Sequence, residues 1–281
     1  MQAGKLYLCA TPIGNLEDMT YRAVRLLKEA ALIAAEDTRH TRKLLTHFDI
    51  HTPLTSYHEH IKDTRGPELI ERLLNGEDVA VVSDAGLPGI SDPGSHLVRL
   101  ALDAGLTVVP VPGANAALTA LVAAGLDTTA FTFAGFLPKT GKKRRAFIRA
   151  LADYQTTLVL YESPHRLKAT LAELLDELGD RPAVAARELT KKFEEFIRGT
   201  LKSLQQHFSE NQPRGEFTLV INGNDNENAE PLADAELPPL EQAVAALVSA
   251  GYDKKTAIRE VAASRAVPRR EVYQAVIGKE L

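Results

Sequence analysis

Short apolar runs alternate with amphipathic stretches along most of the chain. In the N-terminal part, apolar runs occupy residues 5–10, 78–83 and 106–111, and each is followed by a segment rich in Gly, Pro or Asp. Helical spacing of apolar residues predicts a helix over 20–48, with a short strand at 31–35 as the alternative. Strands separated by helices indicate a parallel sheet with crossover helices.

The alternation continues after residue 116 and predicts a second αβ half. Its predicted strands lie at 131–136, 157–161, 182–187 and 217–221, and its predicted helices lie at 142–152 and 165–178. We place the boundary between the halves near 112–118. The expected organisation is an N-terminal α/β lobe at 1–115 and a C-terminal α/β lobe at 116–224.

The C-terminal tail has a different pattern. Residues 225–239 are rich in Asn, Asp, Glu, Ala and Pro and have no apolar period, which is typical of a linker. Residues 240–281 predict a small helical domain, in which Ala257-Ile-Arg-Glu-Val-Ala262 and Val267-Pro-Arg-Arg-Glu-Val-Tyr273 form two helices around a turn. This pair has some likeness to a helix-turn-helix, but a simple packing hairpin is the favoured interpretation.

Composition limits the classes of partner. The 281 residues are 44% hydrophobic and carry a net charge of −4, as expected of a globular chain of about two domains without a global cationic field. A polyanionic partner therefore needs a local basic patch. The single cysteine, Cys9, excludes a disulfide framework and fits a reducing compartment. We expect no membrane span, no signal peptide and a cytoplasmic location.

The densest candidate for a ligand site is a glycine-rich loop directly after a predicted strand. Its sequence is Val82-Ser-Asp-Ala-Gly-Leu-Pro-Gly-Ile-Ser-Asp-Pro-Gly94. Ligands in open α/β sheets bind beyond the carboxyl ends of the strands, where glycine allows close backbone approach. A turn in which Asp92 caps the next helix is the alternative for that aspartate. The loop matches neither the Walker nor the Gly-x-Gly-x-x-Gly pattern, so nucleotide phosphates are not the expected ligand.

Three other loops also follow predicted strands. They are Thr11-Pro-Ile-Gly-Asn15, Pro112-Gly-Ala-Asn-Ala116 and Tyr161-Glu-Ser-Pro-His-Arg166. Each alone is an ordinary turn. Because strand ends of two lobes would face one crevice, we expect the four loops to converge on a single cleft.

A cationic segment stands out against the acidic background. Lys139-Thr-Gly-Lys-Lys-Arg-Arg145 carries five cations, and phosphate contact is favoured over a solvated helix start. The residues that extend the predicted patch are Arg39, His40, Arg42, Lys43, Arg166, Lys191 and Lys192. Aromatic residues are only 6% and Trp is absent, which argues against nucleic-acid binding by stacking alone.

Other polar clusters give weaker signals. If the first helix continues through residue 40, Glu36, Arg39 and His40 share one face, either as a surface ion-pair cluster or as groups that orient a hydroxyl substrate. His58 and His60 alternate, but no third ligand stands at a convincing spacing, so no metal site is predicted. Lys191 is a candidate base, because a desolvated lysine can lose its proton near neutral pH.

Five motifs occur in order along the chain. They are Thr11-Pro-Ile-Gly-Asn-Leu16, Ala34-Ala-Glu-Asp-Thr-Arg-His-Thr41, Val82-Ser-Asp-Ala-Gly86 with Gly89-Ile-Ser-Asp-Pro-Gly94, Tyr161-Glu-Ser-Pro-His-Arg-Leu167 and Arg187-Glu-Leu-Thr-Lys191. Together they resemble the ribosomal RNA small subunit methyltransferases I, a family within the tetrapyrrole methylase superfamily of class III methyltransferases, and the resemblance runs from about residue 5 to 221. It implies a two-lobed homodimer that binds S-adenosylmethionine between the lobes and methylates the ribose 2′-hydroxyl of a cytidine in the decoding region of small-subunit (16S) ribosomal RNA.

The resemblance also implies the cofactor contacts and the partner. The expected cofactor contacts are Pro12, Ser83, Asp84, Gly86, Leu87, Asn115, Ala116, Tyr161 and Glu162, and the expected partner is ribosomal RNA or the small ribosomal subunit. Because a ribose hydroxyl is barely acidic at neutral pH, the reaction needs a base or a cation that stabilises the alkoxide, and the candidate catalytic residues are Lys191 and Glu36. The RNA contacts expected from the basic segments are Arg39, His40, Lys142, Lys143, Arg144, Arg145 and Arg166.

Two alternatives remain open at this stage. A tetrapyrrole ring methylase of the same superfamily predicts a large apolar trough and has no need of the cations at 142–145, so that cluster favours RNA. A noncatalytic RNA-binding or ribosome-assembly module would tolerate loss of the glycine-rich loop's geometry.

Overall fold

The computed structural model describes residues 2–90, 92, 94–224, 239–249, 253–264 and 267–276. It separates into two compact units, Met1–Asp225 and Asn226–Leu281. The first unit contains two five-stranded sheets, each with helices on both faces. The predicted α/β class with a two-lobed body and C-terminal helices is therefore confirmed.

The first sheet is entirely parallel, with strand order β3-β2-β4-β1-β5. Its strands read as continuous apolar runs because both faces are covered. One face packs against α1 and α2, and the other packs against α3 and α4. The elements are β1 Lys5–Cys9, a 3-10 helix Leu16–Asp18, α1 Tyr21–Glu29, β2 Leu32–Ala35, α2 Thr38–His47, β3 Leu54–Ser56, α3 Lys62–Leu74, β4 Val79–Val82, α4 Gly94–Asp103 and β5 Thr107–Val111.

A single helix over 20–48 is wrong, and the alternative with a strand at 31–35 is confirmed. All four residues of β2 are buried, and the strand pairs with both β3 and β4. Thr20 caps α1 by accepting a hydrogen bond from the amide of Ala23, and Asp37 caps α2 by accepting one from the amide of Arg39. Pairing with two neighbouring strands in a buried sheet therefore outweighs the helical spacing of apolar residues in this segment. The three-residue β3 was not predicted.

The second sheet has strand order β6-β7-β10-β8-β9 and is mixed. Only β6 and β7 pair in parallel, whereas β10 pairs antiparallel with β7 and β8, and β8 pairs antiparallel with β9. The predicted second αβ half is thus a mixed sheet, and its strand β9 was not predicted. The elements are α5 Ala116–Ala124, β6 Phe131–Phe136, α6 Gly141–Leu151, β7 Thr157–Glu162, α7 Pro164–Leu178, β8 Pro182–Arg187, β9 Glu195–Thr200, α8 Leu201–Glu210 and β10 Phe217–Ile221.

Two apolar layers cover the second sheet. The helices α6, α7 and α8 pack on one face, and α5 packs on the other. Helix α5 has the sequence AALTALVAA and is apolar apart from Thr119, yet Leu118 and Val122 are 46% and 74% exposed. A helix with so little polar surface is usually buried, so this face of α5 is available to a partner surface.

The second unit consists, in its described residues, of α9 Leu240–Ser249, α10 Lys254–Ser264 and α11 Arg269–Val276. The three helices pack around Val244, Val261 and Val272, which are all buried. The predicted pair corresponds to α10 and α11, and α9 is additional. The predicted linker lies outside the described residues except for Pro239. None of the described helices is long and apolar enough to cross a lipid bilayer.

Candidate active site

The four loops singled out in the sequence meet around one cleft of about 480 Å³ in the first unit. A volume of this size suits a small-molecule cofactor. Ten of the residues expected at the catalytic and cofactor positions line it. They are Glu36, Ser83, Asp84, Gly86, Leu87, Asn115, Ala116, Tyr161, Glu162 and Lys191.

Backbone pairing holds the first two loops together. The amide of Thr11 donates to the carbonyl of Gly86 at 2.9 Å, and the amide of Gly86 donates back to Thr11 at 3.1 Å. Gly86 has a φ of +81°, a conformation that favours glycine. The hydroxyls of Thr11 and Ser83 both donate to carbonyls of the glycine-rich loop. This part of the cleft wall is therefore a fixed backbone surface.

One end of the cleft is acidic. Glu36, Asp84 and Asp92 all line it, and the carboxylate of Asp84 accepts a hydrogen bond from the amide of Asp37 at 3.0 Å. Burial raises the pKa of Glu36, and the nearby charges of Asp84 and Asp92 raise it further. Burial also raises the pKa of Asp92. Such a cluster favours a cationic ligand.

Asp92 combines both roles weighed in the sequence. Its carboxylate accepts hydrogen bonds from the amides of Gly89 and Gly94, at 2.8 and 2.7 Å, where α4 begins. These bonds close the glycine-rich loop and cap the helix. The same side chain lines the cleft. The loop turn and the acidic wall are thus built from one residue.

The third and fourth loops are anchored by side-chain bonds. Asn115 caps α5 by accepting from the amide of Leu118 at 3.0 Å, and the Tyr161 hydroxyl accepts from the amide of Ala117 at 3.2 Å. Burial raises the pKa of Tyr161, so it stays a neutral phenol at physiological pH. Together, the two side chains fix the start of α5 at the cleft.

Glu162 serves the helix that follows it. Its side chain is 1% exposed, and its carboxylate accepts from the hydroxyl of Thr170 at 2.6 Å and from the amide of Ser163 at 2.8 Å. Arg166 lies 3.6 Å away. Because these α7 groups already engage the carboxylate, it acts as a helix anchor in the cleft floor, which leaves it little capacity for the cofactor contact implied by the resemblance.

Lys191 reaches the cleft from a strained loop between β8 and β9. Glu188 and Thr190 have φ values of +52° and +67°, which is unusual for non-glycine residues and most of all for a β-branched threonine. The Lys191 ammonium lies 3.1 Å from the Glu188 carboxylate. A Cβ on Gly14 would lie 2.5 Å from Cγ of Lys191, and a Cβ on Gly215 would clash with the Glu188 side chain. Two glycines therefore make room for this loop.

Most of the cations expected to contact RNA are exposed. Lys142, Lys143 and Arg145 lie on the outer face of α6, and a shallow groove passes Lys142, Arg145 and Arg166. Arg166 is partly buried and donates to the carbonyls of Leu137 and Pro138. His40 is exposed on α2. Arg39 is also exposed and pairs with Asp37 at 2.8 Å, beside a second groove that His58 and His60 line.

Arg144 departs from the role expected of it. It is 6% exposed, and its guanidinium donates to Glu173 at 2.5 Å, to Thr170 at 2.8 Å and to the carbonyl of Pro138 at 3.1 Å. Helical periodicity turns this one residue of the cationic run inward, because α6 must bury Ile148 on the same face. The side chain joins α6 to α7, so phosphate contact by Arg144 is incompatible with its placement.

A match to a family model now identifies the group. Residues 5–205 match the model described as Tetrapyrrole (Corrin/Porphyrin) Methylases. The chain belongs to the tetrapyrrole methylase family. Among its curated relatives, "Ribosomal RNA small subunit methyltransferase I" of Halalkalibacterium halodurans is 53% identical over 96% of this chain and 93% of that protein. The protein of the same name from Bacillus subtilis is 50% identical over 97% and 94% of the two chains.

Solved structures share the fold of this tetrapyrrole methylase. Diphthine synthase superposes with a TM-score of 0.61 at 15% identity, over 78% of this chain and 90% of that one. Uroporphyrin-III-C-methyltransferase from Thermus thermophilus superposes with a TM-score of 0.56 at 23% identity, over 78% and 94%. At such identities the likeness concerns the fold.

The cleft of this tetrapyrrole methylase also contains residues that sequence reasoning did not assign, and Pro12 is not among those that line it. Glu188 belongs to the motif Arg187-Glu-Leu-Thr-Lys191, so a charged residue at this position could have been predicted to line the cleft. Glu216 and Thr218 gave no signal, because they reach the cleft only through the central position of β10 in the second sheet. The unassigned lining residues are Ile13, Ala85, Ile90, Asp92, Phe136, Ser163, Glu188, Leu189, Glu216, Phe217 and Thr218.

Within the described residues no group of three or more His, Cys, Asp or Glu side chains is placed to hold a metal ion.

Proposed function

We propose that this protein is an S-adenosylmethionine-dependent methyltransferase that methylates the ribose 2′-hydroxyl of a cytidine in the decoding region of 16S ribosomal RNA. The observation that carries the proposal is the chemistry of the cleft, which has carboxylates at one end and Lys191 on another wall. The relatives at 45–53% identity, all named as small-subunit ribosomal RNA methyltransferases, support the substrate class.

The cleft fits the proposed cofactor. S-adenosylmethionine supplies a methyl group bonded to a positively charged sulfur and carries an amino-acid tail. The carboxylates of Glu36 and Asp84 suit a cation, and the backbone surface around Gly86 allows close approach. The chain lacks a phosphate-binding glycine motif, and this cofactor needs none. Ser83, Leu87, Asn115, Ala116 and Tyr161 complete the proposed pocket.

Methyl transfer to a hydroxyl requires the attacking oxygen to be held in line with the breaking bond, and positioning alone accelerates such a step strongly. A ribose hydroxyl is barely acidic at neutral pH, so a group of the protein must also accept its proton as the oxygen attacks. We assign this role to Nζ of Lys191, which takes up the hydroxyl proton as a neutral amine after passing its own proton to the Glu188 carboxylate 3.1 Å away, with Glu36 as the alternative base. General acid–base catalysis of this kind contributes about 10² to 10⁴ in rate.

The RNA is held by a set of cations that are exposed except for the partly buried Arg166. Lys142, Lys143 and Arg145 on α6, together with Arg39, His40 and Arg166, are the proposed phosphate contacts. Arg144 is left out of this set, because its guanidinium is buried. The tetrapyrrole ring methylase alternative is disfavoured, because corrin and porphyrin enzymes resemble this chain only at 20–23% identity.

The proposed functional form is a homodimer in the cytoplasm, where its partner is the small ribosomal subunit. The exposed apolar face of α5, with Leu118 and Val122, supports a contact with a second copy of the chain. Sedimentation of the wild type and of a Val122→Asp variant tests the dimer: the wild type should sediment as a dimer and the variant as a monomer.

Mass mapping of 16S ribosomal RNA tests the function as a whole. RNA from cells that lack this protein should miss one ribose methyl group on a cytidine, and restoring the gene should restore that group. An unchanged modification map would refute the proposal. Loss of a base methyl group would keep the enzyme class but overturn the assignment to ribose.

A further inference from the structure

Another groove, distinct from those lined by Arg145 and by His58, opens beside the cleft, and no role has been assigned to its residues so far. It has a volume of about 890 Å³ and lies between the start of α7, the end of α8 and the turn before β10. The groove and the cleft meet at two points. Ser163 lines the cleft and Pro164 lines the groove, and Glu216 lines the cleft where Gly215 lines the groove. The borders of the cleft and of the groove are therefore formed by neighbouring residues at both places.

The groove is basic, although the protein as a whole is acidic. Exposed His165, Lys168 and Arg214 line it, and Glu210 is the only carboxylate among its described lining residues. None of the three basic side chains forms an ion pair in the described part of the chain, not even with Glu210, which lines the same groove. Unpaired cations gathered along one groove favour an anionic occupant.

The turn that carries Arg214 is tied to the loop that carries Lys191. The guanidinium of Arg187 donates to the carbonyl of Arg214 at 3.3 Å and forms an ion pair with Glu195 at 2.6 Å. Gly215 has a φ of +79° and packs against the Glu188 side chain. On the other wall, the ammonium of Lys168 donates to the carbonyl of Ser209 at 3.4 Å. The groove thus has a fixed position relative to the candidate catalytic lysine.

We infer that this groove binds the phosphodiester backbone of the single-stranded RNA segment adjoining the target nucleotide, with His165, Lys168 and Arg214 as the phosphate contacts. The inference rests on the proposed function and extends it, because these residues lie apart from the cations of α6. Contacts to phosphates fix the register of a nucleic acid without reading its sequence. The groove therefore sets which ribose enters the cleft, while it leaves cofactor binding unaffected.

The test compares two triple variants with the wild type. The groove variant is His165→Ala, Lys168→Ala, Arg214→Ala, and the control is His51→Ala, Lys28→Ala, Arg99→Ala, which removes the same three residue types from exposed sites around the first sheet. Thermal melting checks that both are folded. The measurements are methyl transfer to small ribosomal subunits and the affinity for a 12-nucleotide single-stranded RNA at several salt concentrations.

The groove variant should show a raised KM for subunits with unchanged cofactor affinity. Its plot of log affinity against log salt should be shallower by about 1.4, since Lys168 and Arg214, the two of the three contacts that count as charged at pH 7, each contribute about 0.7 on a single strand. The control should behave as the wild type. If the wild type transfers methyl groups but the groove variant matches the control, the inference is wrong. A raised KM with an unchanged RNA salt slope would indicate a ribosomal protein contact and would also overturn it. No transfer by the wild type would refute the proposed function itself.

Discussion

Gly14 and Lys191 are in such close contact that a β-carbon on Gly14 would lie 2.5 Å from Cγ and 3.0 Å from Cε of the lysine. The two residues belong to different lobes, one in the loop after β1 and the other in the loop after β8. The first loop therefore forms one side of the channel along which the lysine side chain extends. This contact relates the position of the candidate base to the cofactor loops.

Gly14→Ala should displace the lysine. Misplacing a reacting group by about 1 Å can lower a rate by about 100-fold, and we expect a loss of this order in kcat with little change in cofactor affinity. Steady-state kinetics of methyl transfer measure the effect. The control is the double variant with Lys191→Ala: if the glycine acts through the lysine, adding Gly14→Ala to Lys191→Ala should cause no further loss. Additive losses would show that the two positions act separately.

Lys191→Met should abolish the proposed proton transfer while it keeps the length and packing of the side chain. We expect kcat to fall by about 10² to 10⁴, with cofactor and RNA affinities within about twofold of the wild type. Single-turnover methyl transfer and calorimetric titration separate the two properties. A variant with full activity would remove Lys191 from the mechanism and leave Glu36 as the candidate.

Glu36 should make the protein less stable as the pH rises. Burial and the nearby Asp84 and Asp92 raise its pKa in the folded state, so the folded protein binds more protons than the unfolded chain. The destabilisation begins as the pH passes the ordinary glutamate pKa of 4.5 and is complete above the raised value. Glu36→Gln removes the charge, so its Tm relative to the wild type should increase across that window.

The same substitution should weaken cofactor binding above that window, because a carboxylate beside a cation is lost. Thermal melts between pH 4 and 8 and titrations with S-adenosylmethionine measure the two effects. A Tm difference that stays constant with pH would contradict the assigned protonation behaviour.

The cationic run at 142–145 should divide into two classes. Lys142→Ala, Lys143→Ala and Arg145→Ala together should lower RNA affinity and its salt dependence without changing Tm, because all three residues are exposed. Arg144→Met should instead cost about 2 kcal/mol of stability, since it removes charge-assisted bonds to Glu173 and Thr170 while Glu173 regains water. Anisotropy and denaturant titration distinguish the classes. A stable Arg144→Met protein with weakened RNA binding would reverse the assignment.

The sequence predicts those parts of the fold that depend on local pattern. Apolar runs followed by loops that contain glycine or proline predicted β1, β4, β5 and β7, together with the loops that line the cleft. Tertiary context decided the rest. Helical spacing over 20–48 hid Leu32–Ala35, because a strand buried on both faces has no period of its own.

The candidate site shows the same division. Loop motifs located Ser83, Asp84 and Asn115, because glycine and capping residues have recognisable local patterns. No local pattern predicts that Glu216 lines the cleft, since its position depends on the antiparallel pairing of β10 between β7 and β8. Charge counting likewise missed the inward direction of Arg144, which depends on what α6 packs against.

Methyl transfer with purified components tests the central claim most directly. Small ribosomal subunits from cells lacking this protein are incubated with it and with methyl-labelled S-adenosylmethionine, and the RNA is then cleaved with alkali. One methyl group per subunit should appear in an alkali-resistant dinucleotide containing cytidine, since a methylated 2′-oxygen blocks cleavage, and an Asp84→Ala variant should show weakened cofactor binding and much less product. Label released as a mononucleotide, or no label at all, would contradict ribose methylation by this cleft.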